Sequence, residues 1–178
     1  MADFLEYFTL LDILPAFDLD LTALETHYFQ QQRNNHPDRF VGKPNAERLA
    51  ALQRSADINL AYETLKDPLK RAQYLLLLQG MYVGTEKDTV KPSQELLAEM
   101  MELRENIDEL TEINALYAFV DEVDEMRRRL LNFIDVAYNK GQWDKMAQLV
   151  LKLGYVQKAM NDLTKQKAKM VKAGKSNK

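Results

Sequence analysis

Apolar residues recur along most of this chain at spacings of three and four, the period of helices that bury one face. A short helix is expected over about Asp3 to Leu11, ahead of Pro15. Leu21, Leu24 and Tyr28 predict a second, with Asp20 as its N-cap and its end near Asn35. After a His-Pro-Asp step, Asn45 is placed to cap a long third helix in which Ala51, Ser55, Ile58, Tyr62 and Leu65 alternate spacings of four and three. Asp67-Pro68 ends it, because the residue before a proline avoids the helical region. A fourth carries Leu69, Ala72, Leu75 and Leu76.

The pattern breaks at Gly80-Met81-Tyr82-Val83-Gly84, and a polar stretch follows to Pro92. Beyond it Ser93 is the expected cap of a helix striped by Leu96, Met100, Leu103, Ile107 and Leu110. Leu116, Val120, Val123, Leu130 and Phe133 stripe a second, which Gly141 should end in a left-handed turn. Trp143, Met146, Val150, Leu153, Met160 and Leu163 stripe a third, from which Leu151 and Tyr155 face away. Three amphipathic helices with short connections predict an antiparallel bundle. The expected organisation is therefore all-α: a helical unit over residues 1–79, a connector over 80–92, a three-helix bundle over 93–170, and a basic tail over 171–178 expected to be disordered.

Composition agrees with this picture and removes several functions. Among 178 residues there are 6 Gly and 5 Pro, a helix-forming vocabulary. No cysteine is present, so disulfides, thiolate metal sites and thiol nucleophiles are excluded, and only His27 and His36 offer imidazoles. His27 has no matched carboxylate or second imidazole, and no metal site, cofactor or catalytic residue is expected. Glu105 and Glu109 read as a solvated helix face rather than an acid–base pair, and Arg127-Arg128-Arg129 as surface charge beside Glu122 and Glu125. The acidic start Met1-Ala2-Asp3 is unlike a secretory signal, and no apolar run reaches membrane-spanning length. A cytoplasmic protein is the expectation. Net charge is −3, but Glu95 to Glu112 holds seven carboxylates and one Arg, whereas Lys165 to Lys178 holds six Lys and no acid.

The tripeptide His36-Pro37-Asp38 sits between two helices expected to run antiparallel. Pro37 removes a backbone donor and pushes His36 out of the helical region, so the preceding helix stops and the turn is stiff. Asp38 is thereby presented where its carboxylate can accept a bidentate bond from a partner's arginine. Alone, such a tripeptide is most often only a loop. Its context is more specific. Tyr7-Phe8-Thr9-Leu10-Leu11, Tyr28 and His36-Pro37-Asp38-Arg39-Phe40 lie upstream of Ile58-Asn59-Leu60-Ala61-Tyr62-Glu63-Thr64-Leu65-Lys66-Asp67-Pro68 and Lys70-Arg71-Ala72. In order and spacing this resembles the J domain of the DnaJ family. The resemblance implies a helical hairpin with flanking helices. It also implies docking on the ATPase domain of a DnaK-type chaperone through Arg33, His36, Pro37, Asp38 and Arg39. Gln30, Gln31 and Gln32 depart from the pattern, standing where J domains carry cations or a buried leucine; Gln31 interrupts the apolar stripe, which implies weaker steering or a specialised partner.

The Gly/Phe-rich linker and Cys-rich region of general-purpose relatives are absent. Instead Leu96-Leu97, Met101-Glu102-Leu103-Arg104-Glu105, Asp108-Glu109, Trp143-Asp144 and Lys152-Leu153-Gly154-Tyr155 are similar to the C-terminal domain of the HscB co-chaperone family. Helical geometry points to the same surface. At about 100° per residue, Leu97 and Met101 lie roughly 100° and 140° from the core stripe, beside the carboxylates of this helix. Such a face suits a partner with apolar and basic groups, with Met adaptable at the contact; the plainer alternative is that both residues only widen the core stripe. The resemblance implies client binding through Leu97, Met101, Glu102, Glu105, Glu109 and Tyr155. It implies two partners, the chaperone HscA and the iron–sulfur scaffold IscU, and a co-chaperone without enzymatic activity that stimulates ATP hydrolysis by HscA. A J-domain adaptor for another client is the alternative. Nucleic-acid binding by the basic tail is disfavoured by the acidic pI of about 5.5 and by the lack of interleaved aromatics, and no membrane partner is expected.

Overall fold

The computed structural model describes residues 6–84 and 88–176. All regular structure among them is helical, and the chain divides into two compact units, Met1–Gly80 and Met81–Lys178.

In the first unit, α1 spans Glu6–Leu10, α2 Leu21–Asn35, α3 Asn45–Lys66 and α4 Pro68–Leu77. Helix α1 ends at Leu10, beside the expected end near Leu11, and residues 3–5 of the expected span lie outside the described residues. Asp20 caps α2 through bonds from the backbone N–H groups of Thr22 and Ala23. Asn45 does not cap α3: it is the first helical residue, and the cap is Pro44, whose carbonyl accepts from Glu47 and Arg48. Proline's fixed φ sets the extended entry, so no side-chain bond is made there. Asp67 both stops α3 and caps α4, its carboxylate accepting from Leu69 and Lys70.

Helices α2 and α3 form an antiparallel pair, since Tyr28 stacks on Tyr62 at 4.1 Å while Gln32, a turn further along α2, reaches back to Ser55. Their core is Leu24, Ile58, Ala61, Tyr62 and Leu65. Phe8, Leu10 and Leu11 pack with it, and Tyr7 stacks on Tyr74 of α4 at 4.4 Å. Two polar groups tie the unit together. His27 Nδ1 donates to the Leu11 carbonyl at 2.9 Å, which gives this imidazole a structural task. Arg71 is buried, lies over Phe17, and donates to the Leu65 carbonyl at 2.7 Å.

In the second unit, α5 spans Gln94–Asp108, α6 Ile113–Asn139 and α7 Trp143–Ser176. Ser93 caps α5 by accepting from the Leu96 N–H. The Glu95 carboxyl is held below its ordinary range by a hydrogen bond to its own backbone N–H and then by Ser93. Gly141, at φ 63°, closes α6 in the left-handed turn read from the sequence, with Gln142 N–H bonded to the Ala137 carbonyl. Helix α7 packs along α6 and also against α5. Glu99 pairs with Lys152 near its start and Gln166 donates to the Leu110 carbonyl near its end, so α5 and α7 run parallel, with α6 antiparallel to α7.

The core of this unit corrects two sequence expectations. Phe133, placed in the stripe of α6, is 53% exposed, and Ile134 and Ala137 are buried instead. Leu151, expected to face away, is buried, because α7 is covered on two sides and its apolar arc is wide. Helix α7 extends to Ser176, within the basic stretch that starts at residue 171, and 177 and 178 lie outside the described residues.

Candidate functional site

Each unit carries one cluster of the residues singled out from the sequence. In the first, α2 ends at Asn35 and the chain enters a 3₁₀ turn over Pro37–Phe40. His36 takes extended backbone angles, as the following proline requires, and its Nδ1 accepts from the Asp38 backbone N–H at 3.3 Å. The imidazole therefore clamps the turn it precedes. The Asp38 carboxylate is 85% exposed; His36 Nδ1 lies 3.5 Å from it, and no lysine or arginine is paired with it among the described residues. A free carboxylate on a braced turn is suited to a bidentate arginine.

The two flanking cations are not equivalent. Arg39 folds back, its Nη1 donating to the Arg33 carbonyl at 3.3 Å and to Asn34 Oδ1 at 3.5 Å, so it satisfies the C-terminal end of α2. The Arg33 side chain is exposed. The glutamine-rich segment has a role that its sequence did not disclose. Gln32 Nε2 donates to the Ser55 carbonyl and Asn59 Oδ1, and Gln32 Oε1 accepts from the Ser55 hydroxyl at 2.8 Å. Tyr28 donates to the same Asn59 oxygen at 2.9 Å, completing a polar clasp between α2 and α3.

In the second unit, α5 presents two apolar faces. Leu96, Leu103 and Ile107 are buried, whereas Leu97 is 42% and Met101 65% exposed. The exposed pair meets Tyr155 of α7, itself 37% exposed, in an open groove of about 640 Å³ between the two helices. Glu102 and Glu105 on α5 and Glu109 at its C-cap are exposed but do not line this groove, so the structure joins the apolar candidates and leaves the acidic ones on the neighbouring face. The groove continues past residues the sequence reading did not select: Arg104 and Asp108 on α5, and Lys158, Asp162, Lys165 and Lys169 on α7. Their signal was the spacing of the three lysines, seven and then four, which returns them to one side of a helix.

Among the described residues, no helix is long and apolar enough to cross a membrane, and no group of three or more His, Asp or Glu is placed to hold a metal ion.

Comparison with known proteins agrees across both units. Residues 92–164 match the family described as "HSCB C-terminal oligomerisation domain". The chain is 36% identical over 163 residues to the co-chaperone protein HscB homolog of Vibrio cholerae serotype O1, covering 89% of this chain and 95% of that one. Among solved structures it is similar to chaperone HscB from Vibrio cholerae, with TM-score 0.80 and 33% identity over 92% of this chain and 98% of that one. It is also similar to human co-chaperone protein HscB, with TM-score 0.81 and 27% identity over 90% of this chain and 81% of that one.

Proposed function

Because the chain belongs to the HscB family of co-chaperones, we propose that it binds the iron–sulfur scaffold IscU through α5 and α7, delivers it to the DnaK-type chaperone HscA, and stimulates HscA ATP hydrolysis. The co-chaperone role, non-enzymatic and in iron–sulfur cluster assembly, is that of the family; the two partners and the residues that meet them are the finer reading.

One observation carries it. Leu97, Met101 and Tyr155 come from two helices, stay exposed beside a filled core, and line one groove. An apolar cluster of this kind, beside a face of α5 that carries Glu102 and Glu105, has the composition of a contact centre next to polar surface. Asp38 supports the chaperone half, since its exposed carboxylate is held on a turn rather than on a flexible loop. The coupling needs no chemistry from this chain: a carboxylate that engages an arginine on the ATPase and a groove that holds the client raise the local concentration of one at the other.

The test is ATP turnover by purified HscA with this protein, with IscU, and with both. Synergy between the two additions is expected, and Asp38→Asn should abolish stimulation while leaving IscU binding intact. Binding of HscA without any response to IscU would favour an adaptor for another client.

A further inference from the structure

The groove between α5 and α7 changes character along its length. Leu97, Met101 and Tyr155 make one end apolar. From there it runs toward Lys158, Lys165 and Lys169, which fall within about 40° of one line on α7 at 100° per residue. Tyr155 and Lys169 are 14 residues apart in one helix, or about 21 Å at 1.5 Å per residue.

The charge in this end is unbalanced. Asp108 faces Arg104 at 3.9 Å and Asp162 faces Lys165 at 3.3 Å, so both anions that line the groove already have a cation. Lys158 and Lys169 have no ion pair among the described residues. All three lysines are exposed and held on a continuous helix. Meanwhile Glu102, Glu105 and Glu109 occupy the outer face of α5, outside the groove. One helix pair thus offers an apolar cluster, an acidic outer face and a cationic channel leading away from the cluster.

We propose that this cationic end is a docking subsite for a carboxylate-bearing segment of the protein partner whose apolar side chains seat on Leu97, Met101 and Tyr155. The inference rests on the reading of this groove as the client surface. A segment leaving the apolar cluster in the direction of α7 passes Lys158, then Lys165 and Lys169, and acidic side chains along it meet the two cations that lack internal partners. Opposite charges on the channel and on the outer face of α5 then fix the direction in which the partner lies, because reversing it puts like charges together.

Calorimetric titration of IscU into three forms of the full chain separates this inference from its premise: wild type, Leu97→Ala with Met101→Ala, and Lys158→Gln with Lys165→Gln and Lys169→Gln. Circular dichroism checks that α7 is intact. The lysine triple variant should bind at least about tenfold more weakly, or about 1.4 kcal/mol. Replacing the same three lysines by glutamate should weaken binding further, and replacing them by arginine should retain it. If the leucine–methionine variant is weakened while the glutamine variant binds like wild type, the cationic subsite is refuted and the client surface stands. If wild type does not bind IscU, both fail. Sedimentation of wild type as a dimer that the glutamine variant dissociates would give the channel to a second copy, and pelleting with phosphatidylglycerol vesicles that the same variant abolishes would give it to lipid; either overturns the proposal.

Discussion

Replacing Leu97 and Met101 by alanine together tests whether one helix can carry two apolar faces with different tasks. Full burial of a Leu or Met side chain is worth about 1.5–3 kcal/mol. Leu97 keeps 42% of its surface and Met101 65% in the free chain, so the part still available to a partner amounts to roughly 2–3 kcal/mol for the pair. The double variant should therefore weaken IscU by at least tenfold in calorimetry, since 1.4 kcal/mol is about one decade. Its melting temperature should barely move, because these surfaces are solvated before binding. Leu103 is the internal control: it lies on the same helix, is 8% exposed and is packed in the bundle. Leu103→Ala should cost about 2–5 kcal/mol, at the lower end because its side chain borders the groove and the gap can partly collapse. Unchanged IscU affinity in the double variant would refute the reasoning, as would a double variant that melts as early as Leu103→Ala.

Ile134→Ala should destabilise the second unit by about 2–5 kcal/mol in denaturant titration, whereas Phe133→Ala should change it by less than about 1 kcal/mol, because Ile134 is buried and Phe133 exposed. Asp124 is held below the usual carboxylate range by Arg128 and then Arg127, so its contribution is present above the unfolded value of about 4 and disappears as pH falls through the lower folded value. Thermal melts of Asp124→Asn should accordingly lose stability at neutral pH and converge on wild type in acid. Gln32→Ala removes bonds to Ser55 and Asn59, which water can partly replace because Asn59 is exposed, and should lower the stability of the first unit by about 0.5–1.5 kcal/mol in denaturant titration.

How much was legible follows from where periodicity determines a face. On α5, Leu96, Leu103 and Ile107 are buried, and Leu97 and Met101 lie far enough from them in angle that their exposure could be read directly. Helix α6 shows the limit. The expected stripe runs from Leu116 through Val123 to Leu130 and then steps by three to Phe133, which at 100° per residue lies about 100° from the line of Leu116. Eighteen residues make five full turns, which returns the stripe of Leu116 to Ile134. The buried position of Leu151 had a different cause, since the number of neighbours around α7 is a tertiary fact that no single helix encodes. Charge was legible as composition but not as place: the acidic run on α5 and the lysines of α7 were visible, yet only the packing of the two helices puts the lysines in the groove and the glutamates outside it.

The glutamines of α2 extend this point to the first unit. Read as departures from a J domain, Gln30 to Gln32 implied lost cations and a broken stripe. In the fold, Gln32 sits at a position where α2 faces α3, and its amide both donates and accepts there, bonding Ser55 and Asn59. Gln32 is matched by Ser55 and Asn59 across the pair, and the clasp lies one turn before the His36-Pro37-Asp38 turn that α2 and α3 enclose. A directional bond fixes the axial register of two helices more tightly than an apolar contact, which tolerates sliding. The polar clasp thus joins the Tyr28–Tyr62 stack and the apolar core in holding the two helices whose ends carry the Asp38 turn, beside which Arg33 is exposed and Arg39 is folded back on the end of α2.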